Sequence, residues 1–300
     1  MARAYAVLDV FTDRPLAGNQ LAVVLDAEGL DTVAMQAIAA EFNLAETVFV
    51  LPTERPAHRA RLRIFSPTKE LPFAGHPTVG TAVLLALEDS VDTNRDLDAM
   101  LMLEETIGSI RSAVSLKTAS RGHAIFDAPV IAKAAPQPLD GGAVAAALGL
   151  MPSEIGFENH LIAAFSAGLP YVFVPVRDLQ AMRRISLRSD LWHGAFGNTS
   201  VYLYCRETES NTHHFHARMF WQALGLVEDP ATGSAAAAFA GVIAEFDRPT
   251  SGTHRVLVEQ GFEMGRPSVI TLELDIEAGQ LAAVRIGGDA VVIARGTLDF

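Results

Sequence analysis

Read for apolar and polar spacing, the chain breaks into short β-strands interrupted by a few helices. Residues 58–65 alternate Arg59, Arg61 and Arg63 with Ala60, Leu62 and Ile64, the period of a half-buried strand. Residues 4–10, 20–25, 47–51, 99–104 and 109–116 read as further strands, bounded by turn signals such as Gly18-Asn19, Pro52 and Gly108. Residues 31–41 predict an amphipathic helix with Val33, Ile38 and Phe42 on one side, ending at Asn43. Two other stretches, 79–87 and 235–244, have almost no polar residue, and a helix apolar all round belongs inside a protein. Neither reaches the roughly 20 apolar residues that a membrane span needs.

Both apolar stretches follow the same text. Arg63-Ile64-Phe65 is followed, after four residues, by Glu70-Leu71-Pro72-Phe73-Ala74-Gly75-His76. Arg218-Met219-Phe220 is followed, after seven, by Glu228-Asp229-Pro230-Ala231-Thr232-Gly233-Ser234. This is an internal repeat whose content is a strand, a turn and a buried helix. Pro72 and Pro230 disfavour helical geometry in the residue before them, so each helix is expected to start near Gly75 and Gly233. The free N–H groups of such a start favour an anion, and a carboxylate, sulfate or phosphate is expected near Gly75 and His76 or near Gly233 and Ser234. The plainer alternative is an ordinary helix start, capped by Thr232 or Ser234.

The repeat implies two halves, residues 1–118 and 119–286, with the stretch 118–122 as the crossover and a strand at 123–126 opening the second half. A final strand, 290–298, lies in a tail, 287–300, that could join the first half. Residues 88–98, with five acids, read as a surface loop, and 141–148 as a short helix. Within the second half, 168–175 echoes 18–24, and 198–203 echoes 45–50, an alignment that sets Thr199 opposite Glu46.

Composition narrows the function. The 300 residues are 50% hydrophobic and 19% charged, as in a globular protein, and the formal charge of −12 argues against nucleic acid as a partner. One cysteine, Cys205, excludes an internal disulfide and a cysteine-rich metal site, which fits a reducing cytoplasm. Asp9 interrupts the apolar start where an export signal would be unbroken. On a strand, His214, His216 and Arg218 share a face. The arginine would repel a cation and no acid lies close in sequence, so His213, His214 and His216 are expected to be exposed strand histidines with no metal. Glu46, in Asn43-Leu44-Ala45-Glu46-Thr47, stands at the mouth of a buried strand, and Asn19 could line a pocket.

Together, Ala17-Gly18-Asn19, Glu46 in its pentapeptide, Pro72-Phe73-Ala74-Gly75-His76-Pro77, Glu228 to Ala235, Gln260-Gly261 and Met264-Gly265-Arg266-Pro267-Ser268 resemble the signature of the PhzF-like proteins, the phenazine-biosynthesis isomerase family. That family belongs to the diaminopimelate-epimerase-like superfamily, and the resemblance spans essentially the whole chain. It implies an α+β fold of two pseudo-symmetric halves, each a curled, mostly antiparallel sheet around one central helix, with the active site in the cleft between them. It further implies a cytoplasmic homodimer and an isomerase acting on a small carboxylate without cofactor or metal. Glu46 would be the proton shuttle, with His76 and Asp229 as the other catalytic residues and Asn19, Gly75, Thr232, Gly233 and Ser234 binding substrate.

Those residue types suit the chemistry. Moving a proton between carbons needs a base that can also act as an acid, and a desolvated carboxyl has its pKa raised toward that role. Donors already in place at helix starts, and a histidine, would hold charge that develops on a conjugated substrate. Asp229 could orient His76 or hold a substrate amine. Related epimerases and racemases use two thiols, one at each helix start, and neither start here carries a cysteine. The alternatives are a lyase or hydrolase of another small carboxylate, or a non-catalytic ligand-binding relative.

Overall fold

The computed structural model describes residues 2–90, 97–222 and 225–299. The chain forms two compact units, Met1–Pro129 with Ile286–Phe300, and Val130–Arg285. The first unit contains β1 (Arg3–Val10), β2 (Asn19–Val24), α1 (Thr32–Phe42), β3 (Glu46–Leu51), β4 (Ala60–Phe65), β5 (Glu70–Leu71), α2 (Gly75–Asp89), β6 (Leu97–Glu105), β7 (Gly108–Thr118) and β8 (Arg121–Asp127). The second contains β9 (Lys133–Ala134), α3 (Gly141–Ala147), β10 (Ala163–Ser166), β11 (Pro170–Pro175), α4 (Leu179–Arg184), α5 (Ser189–Phe196), β12 (Ser200–Cys205), β13 (Phe215–Trp221), β14 (Val227–Asp229), α6 (Gly233–Phe246), β15 (Gly252–Gln260) and β16 (Ser268–Glu277). The last strand, β17 (Gln280–Leu298), crosses the boundary between the units.

The strands are mostly antiparallel, and the exceptions recur in step. β2 with β3, and β4 with β6, are parallel pairs in the first unit. β11 with β12, and β13 with β15, are the parallel pairs of the second. Each parallel pair is joined by a connection that carries a helix, as parallel strands require. α2 packs against β1, β2, β3, β6, β7 and β8, and α6 against β9, β10, β11 and β16. Both helices are buried on every side, α2 from Gly75 to Leu87 and α6 at all but Ser234 from Gly233 to Ile243. Each needs a glycine where it meets a strand. A Cβ on Gly80 would lie 2.6 Å from Leu21, and one on Gly241 2.5 Å from Phe165.

The repeated text has a structural cause. Phe65 lies opposite Glu70 and Ile64 opposite Leu71 in the β4–β5 pair, and Phe220 opposite Glu228 and Met219 opposite Asp229 in β13–β14. Arg63 then grips Glu70 with two hydrogen bonds, at 2.7 and 2.6 Å, and Arg218 grips Glu228 with two at 2.8 and 2.9 Å. Each bidentate pair fastens the short strand that delivers the chain to its central helix.

Several expectations need correction. The stretch 118–122 is the hairpin turn between β7 and β8, so the strand expected at 123–126 belongs to the first unit, and the chain passes to the second only after Pro129. The tail, whose half the sequence left open, lies in the first unit, where β17 pairs with β1 from Arg3 opposite Leu298 to Val10 opposite Ala290. In α1 the buried residues are Met35, Ile38 and Ala39, while Val33 is 77% exposed. At about 100° per residue, Val33 falls about 200° from Met35, on the other side of the helix. Of the acidic loop at 88–98, residues 91–96 lie outside the described residues; Glu88 and Asp89 belong to the last turn of α2 and bond Arg295 and Arg59. No helix among the described residues is long and apolar enough to cross a membrane.

Candidate active site

In the first unit, Glu46 opens β3, its register setting it opposite Leu21 of β2. His76 is the second residue of α2 and is 5% exposed. Its Nε2 lies 3.2 Å from Glu46 Oε2, within reach of a hydrogen bond but without the alignment of one. Burial lowers the His76 pKa to about 3, opposed by a hydrogen bond to the Gln20 backbone. The imidazole is therefore neutral, and the contact with Glu46 is not an ion pair near pH 7. A ring that donates one N–H to the Gln20 carbonyl leaves a lone pair on its other nitrogen, Nε2, the one that faces Glu46 Oε2. Asn19 opens β2 and is buried, and Gly75 is the first residue of α2. No side chain caps α2, whose preceding residue is Ala74.

In the second unit, Asp229 ends β14 and is 8% exposed. The Thr232 hydroxyl donates to Asp229 Oδ2 at 2.5 Å. Thr232 occupies the N-cap position of α6, yet its side chain makes no capping bond, because its hydroxyl is turned to Asp229. Ser234 is not a cap either: its hydroxyl pairs with Tyr171 at 2.7 Å. Gly233, buried, starts the helix. Neither helix start has a side-chain cap, and the second thus lacks the one that the plainer reading of the repeat required.

Register corrects one alignment. Leu21 faces Glu46 and Thr47 faces Phe65 in the first unit; Tyr171 faces Ser200 and Val201 faces Phe220 in the second. Both registers set Ser200, and not Thr199, in the place of Glu46. Sequence reasoning also missed Gln20, Glu105 with Thr78, and Tyr171, and it named Gln260 without a role. Gln20 acts through its backbone and Glu105 lies 27 positions from its partner Thr78, so no local signal marked them.

Of the three histidines expected to be exposed, His214 is, His213 is half-buried, and His216 of β13 is not. His216 is fully buried, with Nδ1 2.7 Å from Glu259 and Nε2 3.0 Å from Glu263, and His213 lies 2.5 Å from Glu259. Burial would lower the His216 pKa, but the two glutamates raise it to about 9. With a carboxylate on each nitrogen, this imidazolium is itself the cation of its site. Glu158, His160 and Asp247 bring possible ligand atoms together, but the Arg206 guanidinium bonds all three and supplies the positive charge there. Cys205 donates to the Glu207 carbonyl at 3.3 Å, and burial pushes its thiol pKa well up, so it is neither a base nor a ready nucleophile.

The sequence pattern described as "Phenazine biosynthesis-like protein" matches residues 8–296. An uncharacterized isomerase of Mesorhizobium japonicum is 53% identical over 99% of this chain and 98% of its own length. A trans-2,3-dihydro-3-hydroxyanthranilate isomerase of Pseudomonas fluorescens is 36% identical, over 98% of each. A crystal structure of a PhzF-family phenazine biosynthesis protein from Bacillus anthracis superposes with a TM-score of 0.89 at 25% identity, covering 100% of both chains.

Proposed function

Belonging to the phenazine biosynthesis-like protein family, the chain is an isomerase, and we propose that it moves a proton between two carbons of a small carboxylate with Glu46 as both acid and base. The observation that carries this reading is the approach of Glu46 Oε2 to the lone pair of a neutral, buried His76 at 3.2 Å. A carboxyl so placed can take a proton from a substrate carbon while His76 remains uncharged, exchange it with solvent, and return a proton to the second carbon. The His76 ring, fixed by Gln20, would keep that carboxyl in one orientation between the two transfers. The uncapped first turn of α2 offers backbone N–H groups for the substrate's carboxylate or for charge developing on a conjugated product. Asp229, Thr232 and Ser234 enter the reading as polar groups at the second helix start, Asp229 already committed to the Thr232 hydroxyl.

The first substrate to test is trans-2,3-dihydro-3-hydroxyanthranilate, the compound named for relatives 33 to 36% identical. Turnover in D₂O, followed by proton NMR, is expected to place deuterium on one ring carbon, and Glu46→Gln is expected to abolish it at unchanged fold. Full turnover by Glu46→Gln would overturn the assignment of the proton carrier. No turnover of this compound or of a panel of small unsaturated carboxylates by the wild type would overturn the reaction class.

A further inference from the structure

The two units differ at the end of one equivalent strand. β6 ends at Glu105, opposite Gly108, and β15 ends at Gln260, opposite Ser268; the parallel pairings Ala60 with Leu103 and Phe215 with Val258 put the two residues at the same step. Both are buried, at 4% and 0% exposure. Gln260 uses its amide to tie the second helix start: Nε2 donates to the Asp229 carbonyl at 2.7 Å and to the Thr232 hydroxyl at 3.1 Å, and Oε1 accepts from the Thr232 N–H at 3.3 Å. Glu105 reaches the first turn of α2, its Oε1 2.7 Å from the Thr78 hydroxyl. The same hydroxyl lies 2.8 Å from the carbonyl of Ala74, the residue before the helix.

Proton counting decides the state of this carboxyl. A hydroxyl has one proton to give, and a backbone carbonyl has none. An ionised Glu105 would leave two acceptors on one proton. With a proton on Glu105, both contacts are satisfied: the acid donates to Thr78, and Thr78 donates to Ala74. We propose that Glu105 is a positioning residue of the first unit, a neutral carboxylic acid that donates through Thr78 to hold the start of α2, and with it His76.

The surroundings agree. Burial raises the Glu105 pKa to about 8, opposed by the Thr78 hydrogen bond. Of the charged groups on the neighbouring elements, Glu104 is held by Thr53, Arg111 by Asp127, Arg63 by Glu70 and Arg59 by Asp89; Arg61 is exposed, and His76 is neutral. A carboxylic acid kept neutral by an apolar site so that it can donate a hydrogen bond is established enzyme chemistry. The other unit reaches the same end with an amide, which donates at any pH.

The inference rests on the proposed role of His76, so its test has a readout independent of turnover. The difference infrared spectrum of wild type minus Glu105→Gln at pH 7 is expected to show a protonated carboxyl band that vanishes as pH rises above about 8. Glu105→Gln, which keeps a donor, is expected to support turnover at pH 7 and to lose the alkaline fall of the wild-type profile. Glu105→Leu, which cannot donate, is expected to lose at least tenfold in kcat, and its thermal midpoint reports whether it folds. An ionised Glu105 at pH 7 in the infrared, or an unchanged alkaline fall in Glu105→Gln, would overturn the proposal even if Glu46→Gln is inactive. Conversely, an active Glu46→Gln leaves the infrared result standing.

Discussion

The two units share a frame and differ in what they place around the start of the central helix. Three equivalent pairs make the contrast: Glu46 against Ser200, His76 against Ser234, and Glu105 against Gln260. In every pair the first unit has a group that can gain or lose a proton, and the second has a neutral hydroxyl or amide. The scaffold contacts, by contrast, repeat almost unchanged, as the two bidentate Arg–Glu pairs show. A duplicated frame can keep its hydrogen-bond register while chemistry moves to one copy, because register depends on backbone and strand period and proton chemistry on a few side chains.

The largest effect expected from this contrast is on turnover. Glu46→Gln should lose 10² to 10⁴ in kcat, about 3 to 5 kcal/mol of barrier, whereas Ser200→Ala, at the matching place, should stay within about twofold. Comparable losses in both variants, measured on trans-2,3-dihydro-3-hydroxyanthranilate, would end the claim that proton transfer belongs to one unit.

The Arg–Glu pairs sharpen the contrast in stability. Side-chain exposures are 10% and 18% for Arg218 and Glu228, but 23% and 32% for Arg63 and Glu70. Arg218 also donates to the Met182 carbonyl at 3.0 Å. Removing Arg218 strands a more deeply buried carboxylate, so urea denaturation of Arg218→Ala should show a loss of about 3 to 5 kcal/mol. Arg63→Ala should lose about 1 kcal/mol, since water reaches Glu70 and screens it. Equal losses would show that the pairs are not differently buried in solution.

Opposite pH slopes should separate His76 from His216. His76 has a depressed pKa, near 3, so the unfolded chain binds its proton more tightly, and this residue's contribution to stability is lost as pH falls from about 6.5 toward 3. His216 is raised to about 9, so its contribution is complete below about 6.5 and is lost as pH rises through 9. Each slope is at most about 1.4 kcal/mol per pH unit. Denaturation midpoints from pH 4 to 10 should therefore lose part of their acid fall in His76→Asn, the rest belonging to carboxylates such as Asp247 and Glu259, and part of their alkaline fall in His216→Gln. A His216→Gln profile that parallels the wild type up to pH 10 would remove the imidazolium from between Glu259 and Glu263.

The smallest effect concerns the thiol. Cys205→Ala should leave turnover within about twofold, because a buried sulfur bonded to the Glu207 carbonyl takes no part in either helix start. A large loss of kcat with the fold intact would instead bring a thiol into the chemistry.

Much of this was legible along the chain. The alternation at Ala60, Leu62 and Ile64 marked β4, the absence of a polar face marked α2 and α6 as buried, and the repeated Arg, Phe and Glu marked two copies of one hairpin. These features are local: period, turn chemistry and composition act within a few residues, so the sequence alone determines them. Glu46, His76 and Asp229 were named through the family resemblance that their motifs carry, and not from period or spacing.

Tertiary structure decided what depends on distant neighbours. His76 is neutral because burial outweighs its bond to a strand some 55 residues earlier, and His216 is charged because Glu259 and Glu263 arrive from more than 40 residues away. The replacement of Thr199 by Ser200 as the counterpart of Glu46, and the assignment of residues 121–127 and of the tail to the first unit, follow from strand pairing that spacing along the chain does not encode. Propensity and period are properties of a segment, but protonation and register are set by whatever the folded chain brings alongside, and only the fold supplies that.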